Sequence, residues 1–147
     1  MNRYAYIGYV YTTNFPVVIR LLDTEGGLPT TPIDGVSGTW VDATGNATVQ
    51  VGWKVVESWD NGFSVFSFVE LTNEDYLLIA PARIRKEQEE AVQWLISNPL
   101  QYKKDLDIAT PAEEAVLISY KQYFVELSEV KNQSGYPVAI NWPVAPF

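Results

Sequence analysis

Thr110-Pro111-Ala112-Glu113-Glu114-Ala115-Val116-Leu117-Ile118-Ser119-Tyr120-Lys121-Gln122-Tyr123-Phe124-Val125-Glu126-Leu127 is the stretch from which the fold is read. Thr110 is an N-cap residue, Pro111 fits the first helical turn, and Glu113 stands where a capping box places its acid. Glu114 adds negative charge at the positive end of the helix dipole. Val116, Tyr120, Tyr123, Leu127 and Val130 recur at spacings of three and four, and Leu117 and Phe124 broaden that stripe. This pattern predicts a helix over 111–131, stopped by Asn132-Gln133-Ser134-Gly135. Beyond it, Pro137, Pro143 and Pro146 with Trp142 predict an extended tail to Phe147.

Toward the amino terminus, a second helix is expected over 81–97, with Pro81 in its first turn and Asn98-Pro99 at its end. Ile84, Ala91, Trp94 and Leu95 supply its apolar positions, and a loop joins it to the helix beginning at Pro111. Thr72-Asn73-Glu74-Asp75 also has the form of a helix cap. Before residue 72 the texture changes to β-branched and aromatic runs punctuated by Gly and Pro. The clearest element is a hairpin: 54–59 and 63–68 flank Asp60-Asn61-Gly62, where Asn-Gly supplies the positive φ angles of a tight turn. Tyr4-Ala5-Tyr6-Ile7 with Tyr9-Val10-Tyr11, then 17–22, 39–41 and 48–51, are further strand candidates, and 28–38 is a loop rich in Pro, Thr and Gly. The expected fold is therefore α+β: a small β-rich domain over 1–71, then a helical hairpin-like region with an extended tail over 72–147. No internal repeat interrupts this order.

Composition excludes several function classes. A formal net charge of -8 with 10 Lys+Arg lacks the clustered cations that displace counterions from nucleic acid or bind anionic membrane. With no Cys and no His, the chain has no disulfide, thiol nucleophile, zinc site of the usual kind or Ser-His-Asp triad. The start, Met1-Asn2-Arg3-Tyr4, has no apolar run of signal-peptide length, so a soluble cytosolic protein without metal or cofactor is expected.

Asp105-Leu106-Asp107-Ile108-Ala109-Thr110, then Glu113, Glu114, Leu117, Tyr120, Lys121, Tyr123 and Leu127, and finally Asn141-Trp142-Pro143 resemble the carboxy-terminal signature of the phage tail fibre assembly family. Upstream, Gln50-Val51-Gly52-Trp53 followed by Asp60-Asn61-Gly62-Phe63 is similar to a pattern of phage tail-associated proteins. The resemblance implies a non-enzymatic chaperone, made in the host cytoplasm, that binds the carboxy-terminal tip of a tail fibre and promotes its folding and trimerisation. Its alternative is a subunit retained on the virion fibre that contacts host polysaccharide.

The aromatic residues are the candidate sites, and each has two readings. Tyr120, Tyr123 and Phe124 are spaced as core but also form a face for a partner. Trp142 and Pro143 either fold back into the groove between the helices or dock on the fibre. Trp40, Trp53 and Trp59 are either β core or platforms for sugar rings, and Tyr4, Tyr6, Tyr9 and Tyr11 divide between core and recognition. The acid pairs Asp105/Asp107 and Glu89/Glu90 read as solvated turn and helix-surface residues rather than as catalytic carboxylates.

Overall fold

A computed structural model describes residues 1–10 and 14–147. Tyr11, one of the amino-terminal aromatics, lies outside the described residues. The chain forms two compact units, Met1–Asp75 and Tyr76–Phe147, and its class is α+β.

The first unit is built on a sheet of β1 (Asn2–Gly8), β2 (Val17–Thr24), β3 (Thr39–Asp42), β4 (Lys54–Asp60) and β5 (Phe63–Val69), in the order β3-β1-β2-β4-β5. All pairings are antiparallel. β1 is an interior strand, paired on both sides and buried on both faces, which accounts for its apolar run. Ala5 and Ile7 face a core of Val18, Val41, Ala43, Val49, Val55 and Phe68. Tyr4 and Tyr6, also buried, are covered by the loop after β2: the Tyr4 hydroxyl donates to the Gly26 carbonyl (3.2 Å) and the Tyr6 hydroxyl to the Val36 carbonyl (2.8 Å). Gly38 lets that loop close on the sheet, since a Cβ there would stand 2.4 Å from the Ile7 carbonyl oxygen and 2.7 Å from the Tyr6 ring. Both tyrosines are thus core residues whose polar ends are satisfied, while Tyr9 falls past the strand and is exposed.

The hairpin forms as its turn residues predict. Asn61 (φ 49°) and Gly62 (φ 85°) are the two loop residues between the facing pair Asp60 and Phe63. The candidate strand over 48–51 does not form. Its residues turn instead, with Val49 N–H bonded to Asn46 O and Trp53 N–H to Gln50 O, although Val49 still enters the core.

The second unit holds most of α1 (Asn73–Ser97), then α2 (Leu100–Asp105), α3 (Pro111–Glu129) and a 3-10 turn, Val130–Asn132. α1 starts eight residues ahead of the expected 81–97 helix. Its N-cap is Thr72, whose hydroxyl accepts from Asp75 N–H while the Asp75 carboxylate accepts from Thr72 N–H (2.9 Å). Lys54 also reaches Asp75 at 3.2 Å. This reciprocal cap outweighs the interruption at Pro81, which sits inside the helix. The loop expected between the two long helices contains α2, whose six residues are too few to show a periodicity. α3 carries the full capping box at Thr110 and Glu113. Of its stripe, Leu117, Tyr120, Tyr123 and Leu127 are buried, whereas Val116 faces solvent.

Candidate functional site

Tyr120 and Tyr123 project from α3 into a cluster with Ala91 and Leu127, against which Trp94, Leu95 and Phe124 pack. Trp94 and Tyr120 are stacked, with ring centroids 5.8 Å apart. The Tyr123 hydroxyl donates to Glu87 (3.1 Å), and burial together with that carboxylate pushes its pKa up to about 12. It is therefore a neutral donor across the working pH range. Both tyrosines are interior groups of the unit, and Phe124 is half-buried at the rim.

The tail is held along this cluster. Gln133 clasps Asn141 twice, donating to its carbonyl (2.9 Å) and accepting from its N–H (2.8 Å). Trp142 then lies under the Arg83 guanidinium, 3.9 Å from ring centroid to cation, and Phe147 stacks on Trp94 at 4.7 Å and 15°. The eleven-residue step along α1 from Arg83 to Trp94 measures about 16 Å at helical rise. The five-residue step from Trp142 to Phe147 covers about 17 Å if extended. The tail is thus an extended strap running parallel to α1. Trp142 caps the strap on Arg83, and the residue between the helices is Phe147, with its edge toward Tyr123. The sequence gives no periodic signal for this contact: Phe147 is legible there only as the end of an apolar tail with Trp142 and Pro143, and its partner Trp94 and the cation Arg83 are not legible as site residues. Beside the cluster, Val92, Leu95, Ile96, Pro99, Tyr102 and Tyr120 line an apolar groove of about 300 Å³.

The three tryptophans of the β unit do not converge. Trp40 packs edge-on against Tyr6 and donates its indole N–H to Thr31 O (2.9 Å). Trp53 packs against the sheet core. Trp59 stands near the hairpin tip, 72% exposed, on the face opposite to Phe63, which is 75% exposed. Cross-strand pairing puts Val56, Phe63, Val65 and Val69 on one face of the hairpin, and all four are exposed. Exposed apolar side chains gathered on one face make the hairpin a candidate interaction surface.

The acid pairs lie in a turn and on a helix surface. Asp105 accepts from Gln101 (2.7 Å), Asp107 takes a positive φ of 55° in the turn after α2, and Glu90 lies 3.8 Å from Lys86. Among the described residues, no group of acids could hold a metal ion, and no helix is long and apolar enough to cross a membrane.

Residues 56–147 match the sequence profile of a family described as Caudovirales tail fibre assembly protein, lambda gpK. The chain belongs to this family. Its role is in phage tail fibre assembly, and its partners are tail fibre proteins. The family is a structural and chaperone family. The match reaches well upstream of Asp105, where the carboxy-terminal signature begins. It takes in most of the exposed hairpin and the whole helical unit, and omits β1, β2 and β3. No curated protein and no solved structure gives a significant match to the chain.

Proposed function

We propose that this family member is a fibre chaperone that binds the carboxy-terminal tip of a tail fibre and promotes its folding and trimerisation. The observation that carries the reading is the hairpin: Trp59, Phe63 and three valines lie open to water on a segment inside the family match. Uncovered apolar area is worth about 25 cal/mol per Å² when a partner removes it from water. A nascent fibre chain with its own unfinished apolar surface supplies the complement. On the helical unit, Trp142, Pro143 and the rim of Phe124 offer further contact, while Tyr120 lines the groove and Tyr123 packs in the cluster behind it.

The test is to produce the fibre with and without this protein. Soluble trimer only on co-production is the expected result, and a fibre that trimerises equally well alone removes the proposal. A second reading places the protein on the finished fibre in the host cytoplasm and virion, in contact with host polysaccharide. Trp59 alone among the three tryptophans presents an open ring to a sugar. Glycan-array binding that is lost in Trp59→Ala would establish it, and no retention on any host glycan would remove it.

A further inference from the structure

The ladder of the hairpin has a direction. Val55 N–H points away from β5 and donates to Pro16 O at 2.9 Å. The facing pair Val55/Phe68 is therefore not hydrogen-bonded within the hairpin, nor are Glu57/Phe66 and Trp59/Ser64, which follow at the same parity. The Ser67 hydroxyl reaching Val56 O, and the Ser58 hydroxyl reaching Val65 O, fit the complementary bonded pairs. On β5 this turns the N–H and C=O of Ser64 and Phe66 outward. β5 is the last strand of its sheet, and among the described residues no strand pairs with its outer side. Phe68 repeats the pattern at the buried base.

An edge of this kind is normally guarded by Lys, Pro or a bulge. β5 reads Phe63-Ser64-Val65-Phe66-Ser67-Phe68-Val69 and pairs in unbroken register, with none of these guards. Its surroundings are acidic: Glu57, Asp60 and Glu70 lie around it, and the nearby cation Lys54 is engaged by Asp75. Residues 1–75 as a whole carry nine Asp+Glu against three Lys+Arg. A second copy would bring the same acids edge to edge, so charge disfavours self-pairing.

We propose that the outer edge of β5 is a strand-addition site for an extended segment of the fibre polypeptide, apolar at alternate positions and flanked by Lys or Arg. The proposal rests on the chaperone reading above and specifies its contact. The incoming backbone bonds to Ser64 and Phe66, its apolar side chains lie beside Phe63 and Val65, and its cations meet Glu57, Asp60 and Glu70.

Amide hydrogen exchange on the full chain, free and bound to the tail fibre of the phage that encodes it, tests this. The Ser64 and Phe66 amides should exchange freely in the free protein and become protected in the complex. Ser64→Pro removes an outward N–H without touching the ladder, and should weaken fibre binding by about tenfold, the order expected for one lost hydrogen bond. Ser67→Ala, on the ladder side of the same strand, removes only a side-chain bond to the Val56 carbonyl and should bind as the parent does. Fibre that binds while both amides stay unprotected overturns strand addition but leaves the chaperone role standing. Protection that appears in the free protein with rising concentration, together with a dimer, overturns it in favour of a second copy. Fibre that does not bind at all removes both proposals.

Discussion

Leu127 is fully buried between the helices, in contact with aromatic rings that cannot easily collapse around a void. Leu127→Ala should therefore cost about 2–5 kcal/mol, read as a fall in the denaturant midpoint of the helical unit. Tyr6 tests a different quantity. Its ring is core, and its hydroxyl donates to the Val36 carbonyl. Tyr6→Phe keeps the packing and strands an acceptor, so a loss of about 1 kcal/mol is expected from chemical denaturation. The two tyrosines Tyr4 and Tyr6 also show why an aromatic-rich strand is ambiguous in sequence. Their spacing says which side of the sheet they share, but only the returning loop decides whether that side is wet.

At the scale of elements, the parts legible in the sequence were those with local chemistry. Asn61-Gly62 requires positive φ angles, and Thr110 with Glu113 closes a reciprocal cap, so the hairpin and α3 could be read without knowledge of the rest. α1 was misplaced at its start because two local signals competed: a cap at Thr72 and a breaker at Pro81. The cap prevailed with help from Lys54, a residue on β4 that no window around residue 72 contains. Pro81 in a helix interior forgoes one backbone bond and costs about 3 kcal/mol relative to Ala. Pro81→Ala should accordingly stabilise the protein, raising its thermal midpoint. Thr110→Ala should lower stability by about 1 kcal/mol through loss of the cap, with helicity frayed at the start of α3. The aromatic candidates were only partly legible. Periodicity marked Tyr120 and Tyr123 as interior, but the strap that brings Phe147 onto Trp94 is long-range and aperiodic.

Across the whole molecule, each unit holds a carboxylate whose pKa lies below its ordinary range. At Asp75 the Thr72 backbone N–H is the main cause, with Lys54 assisting; at Glu113 the Lys103 ammonium is the main cause, with the Thr110 backbone next. A depressed pKa means the folded state binds fewer protons than the unfolded chain as these groups titrate. Their stabilisation is complete above the unfolded values of about 3.9 and 4.3 and drains away as pH falls through the lower folded values. Denaturant midpoints should stay level from pH 7 to about 5 and drop below about 4, with a shallower drop in Asp75→Asn and Glu113→Gln. The hairpin has one more consequence. Kinship with other fibre assembly proteins is shared from residue 56, yet the compact unit that holds the hairpin starts at Met1, and Phe68 and Val55 are wedged among Ala5, Ile7, Val18 and Val41. The family match therefore begins inside a compact unit. A fragment beginning at residue 56 would strip Phe68 of its core neighbours, so a shortened chain keeps its fold only if Met1–Asp75 stays whole.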